Sequence, residues 1–133
     1  MTGFAIGPGC IIHWVKYKFS DGETRNKYLV IAGAKTGSNY LAVIGTSVPK
    51  GKDFKPGCQG SYYHIPGGKK DWFAEDTWLL VAEPREIAPT EFLKLGMAKV
   101  ITLEGQLRED IANALRNCIK ACSDVSDLHK ELL

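Results

Sequence analysis

No apolar run in this sequence approaches the ~20 residues of a helical membrane span, which excludes that class of protein. The opening MTGFAIGPGC lacks a basic stretch followed by a long apolar one, so no secretory leader is expected and the expected compartment is the cytoplasm. Also missing are a Walker loop, a Rossmann glycine pattern, a Gly-x-Ser-x-Gly elbow and a His-Glu-x-x-His pair. Their absence argues against a nucleotide-cofactor enzyme, and no cofactor is expected. There is no Cys-x-x-Cys pair, and His13, His64 and His129 are scattered, so no metal site is expected. The four cysteines, Cys10, Cys58, Cys118 and Cys122, read as small apolar core residues in a reducing compartment. Internal repeats, low-complexity tracts and linkers are absent as well.

What is there suits one domain over 1–133, long enough to bury about two-thirds of its unfolded surface. The net charge is only +2, yet its distribution is lopsided. Residues 1–70 hold ten Lys and Arg against three Asp and Glu, or +7, and residues 71–133 hold seven against twelve, or −5. Such asymmetry suits either a basic surface for a polyanion or an ordinary solvated surface of uneven sign.

Short strands dominate the first hundred residues. Cys10–Phe19 is rich in β-branched and aromatic residues and alternates from Trp14 onward. Tyr28–Ala32 and Tyr40–Thr46 are apolar runs joined by a Gly/Ser/Asn turn, the pattern of neighbouring antiparallel strands. Ser47–Gly60 reads as a long loop, and Ser61–Ile65, Thr77–Ala82 and Val100–Leu103 read as further strands. Pro89–Leu95 predicts a short helix ended by Gly96. Over Gln106–Cys122 the residues Leu107, Ile111, Ala114, Leu115, Cys118, Ile119 and Cys122 recur at three and four, which predicts a helix packed along one narrow face. The predicted fold is mainly β (α+β), a small barrel or strongly curved sheet with a C-terminal amphipathic helix.

The chemistry-bearing groups cluster in the loops of the basic half. Arg25 and Lys27 precede the second strand and Thr46 and Ser47 end the third. Lys50, Lys52, Lys55, Lys69 and Lys70 follow in two loops, with Tyr62, Tyr63, His64, Trp72 and Phe73 between or nearby. Cations hold phosphates and aromatic faces stack unpaired bases, a combination suited to single-stranded nucleic acid. Each aromatic also has a plain reading as core, and each lysine as solvated surface.

The order of these segments resembles the PemK/MazF family of toxin-like endoribonucleases. The likeness rests on Gly9–Val15 as an opening strand, Asn26–Ile31 where the family has an Arg-Pro pair before an apolar strand, Leu41–Ser47 ending in a hydroxyl pair, and Phe73–Leu80 with Glu86–Ile87 after it. It departs from the family at Lys27 and Tyr28, which replace the Arg-Pro pair, at Cys10, which replaces an acidic residue, and at Ala74, where some members have a second arginine. The resemblance implies an SH3-like barrel, a homodimer, an antitoxin or other protein partner, and metal-free cleavage of single-stranded RNA to a cyclic phosphate. It nominates Lys27 for positive charge, Thr46 as a donor to the phosphate, and Asp76 or His13 as the base. Arg25, Ser47 and the loop lysines would hold the RNA. Two other functions fit the same residues: a non-catalytic SH3-like module binding nucleic acid or protein, and an inhibitor or accessory factor from a mobile element.

Overall fold

The computed structural model describes residues 6–19, 21–47, 55–68 and 72–133. The chain runs β1 (Cys10–Lys18), β2 (Thr24–Gly33), β3 (Tyr40–Thr46), β4 (Gly57–Cys58), β5 (Tyr62–Ile65), β6 (Thr77–Leu80), β7 (Arg85–Ile87), α1 (Pro89–Met97), β8 (Ile101–Gln106), α2 (Glu109–Ala121) and α3 (Asp127–Lys130). Among the described residues, eight strands form one antiparallel sheet in the order β4-β5-β6-β3-β2-β1-β8, with β7 on the same edge of β3 that β6 uses further along. The mainly β architecture matches expectation. A closed barrel does not: among the described residues the path is open, with β4 and β8 at its two ends.

The physical reason is visible in how the sheet is covered. Strand alternation sends successive side chains to opposite faces. Ile11, Val30, Ala32, Leu41, Val43, Tyr63 and Leu79 join Ile111, Leu115, Cys118 and Ile119 of α2 in one core. Ile12, Trp14, Leu29, Ile31, Ala42 and Ile44 join Ile87, Phe92 of α1 and Ile101 in another. Each face thus buries its apolar residues under a helix, at about 1.5–3 kcal/mol per large aliphatic side chain, without the sheet closing on itself.

Pro89 starts α1 at the position where its missing N–H costs nothing. The helix runs through Gly96 to Met97, one turn's fraction beyond the predicted end. In α2, Glu109 and Asp110 occupy the first turn, where negative charge suits the helix dipole. Gln106 and Leu107, predicted to be helical, instead end β8 and enter the turn before α2, with Leu107 N–H donating to the Gly9 carbonyl.

The cysteine expectation needs one correction. Cys58 and Cys118 form a disulfide, with Cα atoms 5.6 Å apart across 60 residues of chain, and it ties β4 to α2. Cys10 and Cys122 are free and buried, as expected. Burial pushes the Cys10 thiol above its ordinary pKa, which keeps it protonated and unreactive. Among the described residues no helix is long and apolar enough to cross a membrane.

Candidate functional site

β2 and β3 pair from Gly33↔Leu41 only as far as Leu29↔Ile44. Beyond that point β2 stays with β1, through Trp14↔Lys27 and Tyr17↔Arg25, whereas β3 crosses to β6 through Gly45↔Leu79 and Thr46↔Trp78. The sheet therefore splits, and a cleft of about 450 Å³ opens between Asn26–Tyr28 on one side and Gly45–Ser47 on the other, walled by Trp72, Phe73 and Glu75.

A bulge shapes its near side. Between Trp14 and Tyr17 the β1–β2 register shifts, and Lys16 adopts a left-handed φ of 55°. The Lys16 N–H donates to Asn26 Oδ1 at 3.0 Å. That bond commits the carbonyl end of the Asn26 side chain and leaves its amide NH2 as a donor beside the cleft. Lys27 is half-buried, with its ammonium 5.9 Å from the Phe19 ring centroid. The Arg25 guanidinium sits 5.8 Å from the same ring and pairs with Glu23 at 2.7 Å. Burial first, and the Arg25 charge second, hold the Lys27 ammonium below its ordinary pKa.

The far side is fixed by close backbone packing. Gly67 lies so near the 75–76 backbone that a Cβ there would sit 2.6 Å from the Asp76 nitrogen. The Gly67 N–H donates to Asp76 Oδ1 at 2.7 Å, and the Asp76 carboxylate also faces His64 Nε2 at 3.7 Å. His64 is buried, stacked on Trp78 at 4.7 Å, and its Nδ1–H donates to the Lys55 carbonyl at 3.2 Å. This set braces the turn behind the cleft.

The predicted site residues are thus partly assembled. Lys27, Thr46 and Ser47 line the cleft together. Lys27 shares a sheet face with Leu29 and Ile31, and Thr46 with Ile44, so both belong to the α1 side. His13 pairs with Tyr28 on the opposite face, its ring 4.9 Å from the tyrosine, and does not line the cleft. Asp76 sits behind the lining, held by Gly67, and the carboxylate in the lining belongs to its neighbour Glu75. Arg25 stands next to Lys27, whereas Lys55 is exposed near β4, its carbonyl serving His64 and Gln59. Lys50, Lys52, Lys69 and Lys70 lie outside the described residues.

Sequence reasoning missed Asn26, Tyr28 and Glu75 as cleft residues. The available signal was positional only, a polar stretch entering an apolar strand. Among the described residues no group of three or more His, Cys, Asp or Glu side chains is placed to hold a metal ion. The chain matches no known protein family and no curated protein sequence.

Proposed function

We propose that this protein is a metal-independent endoribonuclease acting on single-stranded RNA in the cleft between β2 and β3. The observation that carries the proposal is a half-buried lysine of lowered pKa lining the same cleft as Thr46, Asn26 and the Glu75 carboxylate. Cleavage of this kind needs a base for the 2′-OH, donors for the phosphorane oxygens and an acid for the leaving oxygen. Glu75 takes the 2′-OH proton as O2′ bonds to phosphorus. Thr46 and Asn26 donate to the non-bridging oxygens. Lys27 neutralises developing charge and gives its proton to O5′ as the P–O5′ bond breaks, which leaves a 2′,3′-cyclic phosphate.

A lysine offers a compact charge and a titratable proton where the family has arginine's planar fork, so phosphate positioning relies more on the neighbouring donors. The lowered pKa brings that proton closer to the range in which a general acid is effective. The SH3-like relationship, the homodimer and an antitoxin or other protein partner belong to the same reading, through the resemblance to PemK/MazF toxins.

The test is cleavage of single-stranded RNA in excess chelator, with product ends analysed for cyclic phosphate. Lys27→Ala is expected to abolish cleavage and Thr46→Ala to reduce it strongly, by roughly 10²–10³-fold for a lost transition-state donor. Lys27→Arg keeps or raises activity if the ancestral geometry persists. Equal rates for the parent and all three variants would remove the catalytic assignment. RNA binding with a steep salt slope but no cleavage would leave a non-catalytic RNA-binding module in its place.

A further inference from the structure

The chain has three tryptophans, and two are core residues: Trp14 is 7% exposed and Trp78 1%. Trp72 is 38% exposed and lies on the wall of the cleft. It is nevertheless well held. The Tyr28 ring meets it edge-on at 5.2 Å and the Phe73 ring at 5.1 Å. Its pyrrole edge lies against Gly105 of β8, so close that a Cβ at that position would collide with Nε1 and stand 2.5 Å from Cδ1. Tyr28, also 38% exposed, is itself backed by His13. A large ring fixed by several contacts while keeping more than a third of its surface in solvent adds less to the core than its size allows. It forms instead a rigid shelf whose rotamer is already chosen, so little entropy is lost when a flat ligand lands on it.

We infer that this shelf is a nucleobase subsite, in which one unpaired base of a single strand stacks on Trp72 and Tyr28 while the adjoining phosphate lies toward Lys27 and Asn26. The inference rests on the proposed RNA reading and specifies how the strand is held. The occupant needs a π-face and a neighbouring anion, because Trp72 and Tyr28 share the cleft with the cation Lys27. A duplex hides its base faces, so the strand must be single. The volume of about 450 Å³ falls in the ~300–1,000 Å³ range of ligand pockets and suits a nucleotide unit, not a helix. Stacking does not use the 2′-OH, so single-stranded DNA should bind the shelf without being cleaved.

The experiment titrates the full chain with short single-stranded RNA and DNA, followed by indole fluorescence and by anisotropy of a labelled strand. Because the other two tryptophans are buried, quenching reports chiefly on Trp72. Both strands are expected to quench saturably. Trp72→Ala should weaken binding roughly 5- to 150-fold, the worth of one stacked base, with an unchanged salt slope. Trp72→Phe should recover much of the loss. Gly105→Ala, which displaces the indole without changing any charge, should mimic Trp72→Ala in part. An abasic substitution at one strand position should cost the parent as much as Trp72→Ala does, and cost the Trp72→Ala variant nothing further.

Parent-like binding by Trp72→Ala, or tolerance of abasic sites at every position, would overturn the subsite even if RNA is still cleaved. The full set of stacking effects without cleavage would keep the subsite and remove the nuclease. Failure of every strand to bind, with an acidic protein quenching Trp72 instead, would overturn both. The abasic series on the unmutated chain decides the matter should Trp72→Ala fail to fold.

Discussion

The middle of β2 and β3 and their split ends are built from the same two strands and behave oppositely. In the middle, Leu29, Val30, Ile31, Leu41, Ala42 and Val43 are all fully buried, because each strand has partners on both edges and helices cover both faces. At the split, Arg25, Asn26 and Tyr28 are exposed and Lys27 half-buried, because β2 keeps β1 but has lost β3. The difference shows how a small sheet gains a site without an added domain. Where two strands part company, their backbones stay anchored by their other partners; Trp72, Phe73 and Glu75 reach the gap from the connection before β6, but Lys27 and Thr46 enter it from strands. Such placement holds functional groups more tightly than a loop would.

The comparison is broken most severely from the middle. Ile31→Ala should destabilise the protein by about 2–5 kcal/mol, the cost of a cavity in a core that cannot collapse around it. Urea denaturation should register the change in midpoint, and RNA affinity at low denaturant should fall only with the folded fraction. A cleft substitution such as Lys27→Ala should do the reverse, leaving stability within about ±0.5 kcal/mol. If Ile31→Ala lowered affinity while the protein remained fully folded, the cleft would depend on the core in a way the split geometry does not explain. A somewhat smaller effect is expected from Cys58→Ser. The 60-residue separation means that the bridge constrains a large loop of the unfolded chain, so its loss should cost about 2–4 kcal/mol. Reducing agent should give the parent the same loss and leave the variant unchanged.

How much of this was legible in the sequence also divides along the strands. The Tyr40–Thr46 strand was readable to the residue, since an apolar run bounded by turn chemistry carries its own limits. β2 begins four residues before its apolar run, at Thr24, because Thr24–Lys27 are polar on both faces and are held by pairing with β1, which no alternation announces. β7, with three residues, and α3, with four, are too short to establish a period. Lys27 and Thr46 were both named from their strand ends, and they do meet in one cleft. The brace of Trp72 on Gly105 and the bridge from Cys58 to Cys118 join distant positions, and spacing in one sequence cannot reveal such pairs. The same holds for the carboxylate. The resemblance nominates Asp76, but that residue accepts from the Gly67 N–H, and the carboxylate that lines the cleft is its neighbour Glu75.

The smallest expected effect concerns the proton on Lys27. Burial and, second to it, the Arg25 charge lower its pKa from the ordinary 10.5. If the protonated ammonium is the acid, cleavage should fall as pH rises through the lowered value, so the alkaline limb should lie below that of a free lysine. Arg25→Ala removes the smaller cause and should move the limb upward, still short of 10.5, because burial remains. The stability sign follows from proton counting. Between the lowered pKa and 10.5 the unfolded chain binds more protons at Lys27 than the folded one, so stability rises with pH across that window. Below the folded pKa both states are protonated, and the folded form carries the full penalty of a desolvated charge. Lys27→Met should flatten this dependence while leaving that of the other groups. Single-turnover cleavage against pH for the parent and Arg25→Ala, beside denaturation curves for the parent and Lys27→Met, measures both limbs. An alkaline limb unmoved by Arg25→Ala, with a stability window unmoved by Lys27→Met, would mean that the titrating acid in the cleft is another group.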